Sequence, residues 1–246
     1  MYHSVSAGAT TPAWPWAVSM AQFKSQLDYL SDNGYLTPTM AELMAAPERF
    51  AGRKVAVITF DDGYLDNLYA CDSLASRGMR ASWFIVAGAI GRDPHWPDDG
   101  RPDGRMLNAT ELRAMRAEGM EIGSHTMNHV RLPEVSYDDA KAELIDSRHI
   151  LEDALGAPIS SFAYPFGAWN DTIADATREA GYAAACTTRT GWALRDNDPY
   201  RLRRLTVFNT DTLGSFVRKL AYASHAVSWY ELVRYHGGMV ARRFTG

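Results

Sequence analysis

One stretch constrains this chain more than any other. The β-branched run Lys54-Val55-Ala56-Val57-Ile58 leads straight into Thr59-Phe60-Asp61-Asp62-Gly63-Tyr64. A short apolar run of this kind reads as a buried strand. It ends on two adjacent carboxylates and a glycine. Side chains alternate along a strand, so Asp61 and Asp62 share one pocket only if the backbone turns there. One carboxylate then holds a cation while the other handles a proton. The plain alternative is a turn followed by a helix cap, and the motif alone does not separate the two.

The surroundings supply a fold. A short first strand is expected at residues 1–5. Further strand patterns follow at 81–86, 120–124, 159–163, 182–187 and 205–207. Helical patterns lie between them. Ser19 with Gln22 and Thr39 with Glu42 have capping-box spacing, and so does Asn108 with Glu111. Longer helices are expected at 65–77, 136–155, 171–180, 211–222 and 226–235. Strands alternating with helices predict an α/β fold with a parallel sheet. Six or seven such units over 246 residues predict one domain, a distorted or incomplete (β/α)7 barrel. Residues 211–246 form its helical C-terminal extension. In barrels of this kind chemistry gathers at the C-terminal strand ends, where Asp61 and Asp62 stand.

Two other strand ends carry chemistry-bearing residues. Ser124-His125-Thr126-Met127-Asn128-His129 sets two imidazoles four positions apart. One helical turn would place both rings on one side. Two imidazoles and a carboxylate make a three-ligand site with open positions, the arrangement of a catalytic metal. Phe162-Ala163-Tyr164-Pro165-Phe166-Gly167 fixes an irregular turn. Tyr164 and Pro165 are candidates for a substrate-groove wall. Proline has no N–H, so the Phe166 N–H is the candidate donor to a reacting oxygen. The loop 91–106 is dense in Gly, Pro and Asp and carries Trp96, a further substrate-wall candidate.

Taken together these residues resemble the polysaccharide deacetylase (NodB-homology, carbohydrate esterase family four) domain. Thr59-Phe60-Asp61-Asp62-Gly63 matches its first motif, Ser124-His125 to His129 its second, and Tyr164-Pro165-Phe166-Gly167 its third, over at least residues 54–210. The resemblance implies a (β/α)7 barrel and a divalent metal, zinc first, with Co, Ni or Mn as alternatives. It implies N-acetylated sugars as substrate, with Asp62, His125 and His129 as ligands and Asp61 as general base. Many members place the general acid, a histidine, near the C-terminus. Here Tyr2-His3-Ser4-Val5 is similar to the opening of the circularly permuted poly-N-acetylglucosamine deacetylases, which makes His3 the expected acid and His225 the alternative. Many members carry an arginine near the third motif, against the base. None lies there in this chain; Arg203 or Arg204, just before the strand at 205–207, can reach the base instead, and Arg204 is the one expected.

The implied activity is hydrolytic N-deacetylation of N-acetylhexosamine units, with release of acetate. Its alternatives are O-deacetylation, a small or lipid-linked amino-sugar substrate, or a carbohydrate-binding relic without turnover. Net charge is −4, yet residues 201–246 carry eight Arg or Lys against Asp211 and Glu231. That basic, aromatic-rich end is a candidate for contact with an anionic membrane or a lipid-linked sugar. No nucleic-acid motif is present. Cys71 and Cys186 have neither metal nor redox spacing. No signal-peptide pattern and no run of about 18 apolar residues is visible, so the expected location is cytoplasmic.

Overall fold

The computed structural model describes residues 1–8 and 10–225. Five parallel strands form the central sheet in sequence order: β3 (Thr59–Phe60), β4 (Ser82–Ile85), β5 (Glu121–Ser124), β6 (Ser161–Ala163) and β7 (Ala184–Cys186). A smaller parallel pair joins β1 (Ser4–Ser6) to β2 (Ala17–Ser19). Helices α1 (Met20–Asp32), α2 (Met40–Ala45), α3 (Asn67–Ala75), α4 (Ala109–Ala117), α5 (Tyr137–Leu155), α6 (Asp171–Glu179) and α7 (Leu213–Tyr222) complete the α/β architecture. The expected helix at 226–235, and with it most of the basic C-terminal end, lies outside the described residues.

The helices start where side-chain caps are available. Ser19 Oγ accepts from Gln22 N, and Thr39 and Asn108 make full capping boxes with Glu42 and Glu111. Each such cap is worth about 1 kcal/mol. Helix α1 then buries Phe23, Gln26, Leu27 and Leu30, residues spaced to share one face. Its polar member, Gln26, accepts the Tyr2 hydroxyl proton on Oε1 at 2.8 Å, while its Nε2 is buried without a partner.

The sheet is buried almost throughout, as expected of parallel strands covered on both faces, with Thr59, Ser82, Ser124 and Ser161 as buried polar members. Phe60 and Trp83 are cross-strand partners with rings stacked at 4.6 Å. At Gly123 the strands leave no room for a side chain. A Cβ there would lie 2.5 Å from Ser161 Oγ and 2.8 Å from the Phe84 ring. The strand that delivers His125 therefore needs glycine two residues earlier.

The expected strand over 54–60 is regular only at Thr59–Phe60; upstream, Val55 makes a lone parallel bridge to Leu36. The expected strand at 205–207 is an extended segment whose partner is the start of the chain. Met1 N donates to Leu205 O and Val207 N to Met1 O. On the other side Tyr2 N donates to Thr59 O and Asp61 N to Tyr2 O. Residues 1 and 2 thus fill the seam between 205–207 and β3, while Leu202 pairs with Cys186 on β7. This closure places His3 at the same sheet end as Asp61 and Asp62.

Candidate active site

The buried carboxylates and imidazoles meet at the C-terminal end of the sheet. Asp61 and Asp62 are 2% and 3% exposed, and His125 is 2% exposed. Asp62 turns left-handed, at φ 73°. That turn brings both carboxylates to one end of the sheet, where strand alternation alone would send them to opposite faces. Asp62 Oδ1 lies 3.4 Å from His125 Nε2 and 3.3 Å from His129 Nε2.

These spacings suit a metal. Tetrahedral ligands at roughly 2.05 Å from zinc stand about 3.3 Å from one another. Among the described residues Asp62, His125 and His129 are the group of ligand atoms clustered tightly enough to hold an ion. Asp62 Oδ1 and His129 Nδ1 are also buried without a hydrogen-bond partner, a rare condition for buried polar atoms. His125 is oriented by its other nitrogen: Nδ1–H donates to Ala163 O at 2.7 Å, leaving Nε2 free to ligate. The residues present therefore fit a divalent metal.

The two histidines do not sit on a helical turn. Thr126 and His129 are both left-handed, at φ 69° and 56°. The loop closes through Thr126 Oγ1, which accepts from His129 N at 2.9 Å. The two-imidazole geometry arises from this tight loop.

Asp61 is held separately. Arg204 Nη1 and Nη2 donate to its two oxygens at 2.6 and 2.7 Å. Arg204 is itself buried, and its Nε donates to Thr187 O at 2.9 Å. Burial alone would raise the Asp61 pKa, but the Arg204 guanidinium, joined by His125 and His3, holds the carboxyl below its ordinary value. Asp62 is likewise lowered against its burial, chiefly by His129. Burial pulls His125 down to about 4 despite the neighbouring Asp61.

His3 is partly buried, with its ring against Trp16 at 5.2 Å and Trp14 at 6.2 Å. Its Nδ1 has no partner. Burial lowers its pKa, while Asp62 and Asp61 pull it back up. His225 is occupied elsewhere: its Nε2 accepts from Thr206 N at 2.8 Å, and its Nδ1 lies 3.2 Å from Thr190 Oγ1. An Nε2 that accepts a backbone proton cannot also deliver one to a substrate.

Phe166 is left-handed, at φ 58° and ψ 7°. The hydrogen bonds of its turn run from Gly167 N to Tyr164 O and from Ala168 N to Pro165 O. The Phe166 ring is exposed and lies 4.6 Å from His129, with the Arg131 guanidinium 4.2 Å above it. Trp96 covers the same imidazole, also at 4.6 Å, and its buried Nε1 is unpartnered. Tyr164 and Pro165 lie inside. Tyr164 is fully buried and donates its hydroxyl proton to Tyr200 O, so its ring braces the turn instead of lining the mouth.

Three residues were not singled out from sequence. Tyr64, directly after the first motif, is 1% exposed, and its hydroxyl lacks a partner. Burial and the nearby Asp62 push its phenol well above the ordinary value. Trp14 packs on Tyr64 and donates Nε1–H to Asp98 Oδ1 at 3.1 Å. That bond ties the loop between β1 and β2 to loop 91–106 beside His3. The two tryptophans within the short segment between β1 and β2 are the signal available in the sequence for Trp14 and Trp16.

A barrel mouth holding a carboxylate–bis-imidazole cluster beside an arginine-clamped carboxylate defines a hydrolase type. Comparison with known proteins agrees. The polysaccharide deacetylase family model matches residues 49–185. A putative polysaccharide deacetylase, YxkH, of Bacillus subtilis is 32% identical over 226 residues, covering 89% of this chain and 75% of that protein. The chain belongs to the polysaccharide deacetylase family. A peptidoglycan-N-acetylglucosamine deacetylase of Bacillus cereus is 29% identical over 132 residues, 52% of this chain and 54% of that protein. The solved structure of IcaB from Ammonifex degensii superposes with a TM-score of 0.76 at 27% identity, covering 92% of this chain and 95% of that one. The fold is thus the barrel expected from sequence, in the layout of the IcaB-like members. Among the described residues no helix is long and apolar enough to cross a membrane.

Proposed function

We propose that this protein is a metal-dependent N-deacetylase acting on N-acetylhexosamine units of a glycan or glycoconjugate. The observation that carries this reading is the buried Asp62–His125–His129 cluster, spaced for a metal, beside the Arg204-clamped Asp61. The name of the Bacillus cereus relative supports the N-acetyl sugar.

An amide is a weak electrophile with a poor leaving group. A divalent metal held by Asp62, His125 and His129, zinc first among the candidates, supplies carbonyl polarisation and lowers the pKa of water toward about 7. Asp61 takes the proton of the attacking water. Arg204 keeps that carboxylate ionised and fixes both oxygens, so it reaches the reaction already oriented. The Phe166 N–H is assigned to the oxyanion of the tetrahedral species. His3 is assigned to protonation of the departing amine, which cannot leave as an anion. The exposed Phe166 ring offers an apolar face to the sugar and its acetyl group, whereas Trp96, expected at the substrate wall, is 5% exposed and backs His129.

Acetate release from N-acetylglucosamine oligomers tests the reading. Chelator-treated protein should be inactive, and Zn, Co, Ni or Mn should restore it. Asp61→Asn should remain folded and bind metal while losing at least about 100-fold in rate, the usual scale for a proton-transfer group. Full metal-independent turnover, or turnover only on O-acetyl esters, would overturn it.

A further inference from the structure

The loop joining the two histidine ligands is held from outside by a residue with no contact to a ligand side chain. Glu143 projects from α5. Its Oε2 accepts from Met127 N at 2.9 Å and from Asn128 N at 2.8 Å, and its Oε1 accepts from Asn128 Nδ2 at 2.6 Å. These are charge-assisted bonds to the residues lying between His125 and His129. From the other side, Ala87 N and Gly88 N donate to Thr126 O and Met127 O at 3.0 and 2.9 Å. A Cβ on Gly88 would lie 2.6 Å from Met127 O, so the loop rests directly on that backbone.

We propose that Glu143 is a positioning residue that sets metal affinity, by fixing the left-handed loop that carries His129. This rests on the metal reading above.

The argument is one of geometry. His125 is anchored by its own ring, through Nδ1 and Ala163 O. The ring of His129 has no such anchor: its Nδ1 is buried and unpartnered. The Trp96 and Phe166 rings pack against it at 4.6 Å but donate no hydrogen bond, so where its Nε2 falls depends on the backbone of residues 126–129, which combines two left-handed residues with no glycine. Such a backbone persists only where its surroundings over-determine it. Glu143 takes the two consecutive N–H groups of Met127 and Asn128, which the loop itself does not use. Freed from it, the loop can relax and carry His129 Nε2 away from Asp62 Oδ1. Residues that orient metal ligands commonly change metal affinity by 10- to 100-fold when removed.

Helix α5 does not need Glu143 to stay in place. Leu144, Ser147 and Leu151 are fully buried, and Ser147 Oγ meets Ser124 Oγ at 2.9 Å. Glu143→Ala should therefore fold. Glu143→Gln is the conservative partner. Its amide oxygen can accept from both backbone N–H groups as Oε2 does, and the Asn128 amide can turn to accept from its NH2.

The test is a zinc titration of the metal-free full chain against a competing chelating dye, with metal-free thermal midpoints measured alongside. The parent should bind one equivalent. Glu143→Ala should bind about 10- to 100-fold more weakly, and Glu143→Gln within roughly threefold of the parent. Gly88→Ala, which presses on the loop from the opposite side, should also weaken binding. Parent-like affinity in Glu143→Ala would overturn the proposal. So would equal weakening in the Ala and Gln variants with equally lowered midpoints, the mark of general damage. A parent that binds no zinc would instead fail the metal reading itself, and this inference with it.

Discussion

Removing Arg204 gives a sharp test of the site's electrostatics. Arg204 and Asp61 are 6% and 2% exposed and make two parallel hydrogen bonds. Arg204→Met keeps most of the side-chain volume and leaves Asp61 as an unpaired buried carboxylate. Breaking one side of such a pair costs about 3–5 kcal/mol. For a chain of this size each kcal/mol lowers the melting temperature by roughly 2–4 °C, so the expected fall is roughly 6–20 °C. The sign of the pKa change follows as well. Burial is the largest influence on Asp61 and acts upward; Arg204 is the main force opposing it. Without Arg204 the Asp61 pKa rises, and the acid limb of the acetate-release profile should move to higher pH. Asp61→Asn combined with Arg204→Met removes both charges and should recover much of the stability lost by Arg204→Met alone, because neutral partners of similar shape avoid the unpaired charge. Thermal melts and pH–rate profiles of the two single variants and the double variant form a cycle. A melting point within 2 °C of the parent with an unmoved acid limb would refute the reasoning. Purely additive losses in the double variant would refute it too.

Three further outcomes are expected. In metal-free protein, His125 is depressed from 6.5 to about 4, so its stabilisation is complete above pH 6.5 and is lost as pH falls through 4. That gap corresponds to roughly 3 kcal/mol; Asp61 and Asp62, also depressed, extend the loss to lower pH. Urea titrations at stepped pH should show it, and a flat profile between pH 6.5 and 4 would contradict it. His3→Gln should cut acetate release at least about 100-fold with little change in melting temperature, whereas His225→Gln should chiefly lower stability; the reverse pattern in rate assays and melts would reassign the acid. Deleting residues 226–246 should abolish any salt-sensitive binding to anionic liposomes, and an intact chain that fails to sediment with such liposomes would remove the membrane expectation.

The sequence made some of this site legible and hid the rest for physical reasons. Asp61, Asp62, His125 and His129 stood out because each pair is local and follows a recognisable strand. Strand ends of one parallel sheet must meet, so their convergence followed from the fold. Arg204 carried a weaker signal. It lies 143 positions from Asp61 and belongs to a basic run in which Arg203 pairs instead with Asp196. Only the path of 202–207 along the barrel seam decides which arginine faces inward. Tyr164 was expected at the groove because it opens the third motif. Yet Tyr164 N still donates to Cys186 O, which keeps the residue in register with β7 and its ring in the core. Trp14 and Trp16 carry only a compositional signal, because the segment between β1 and β2 has no periodicity to orient them.

The histidine pair shows why spacing alone misleads about mechanism. A four-residue separation suggests a helical turn, since non-glycine residues avoid positive φ by about 1–2 kcal/mol. The structure takes the opposite course. Of the six described non-glycine residues with positive φ, Asp62, Thr126, His129 and Phe166 all lie at the mouth. Local propensity opposes each of them, and local sequence could not announce them. What offsets them is tertiary. Val86 N donates to Asp62 O, Ala87 N to Thr126 O and Gly167 N to Tyr164 O, while Glu143 takes the N–H groups of Met127 and Asn128. A barrel whose strands are already fixed can hold such turns, and the turns in turn set Asp62 Oδ1 within 3.4 Å of both imidazoles. Catalytic geometry here is a property of the supporting layer as much as of the residues that would touch the substrate. That is why the deviation from expected backbone falls on the residues to which the chemistry is assigned.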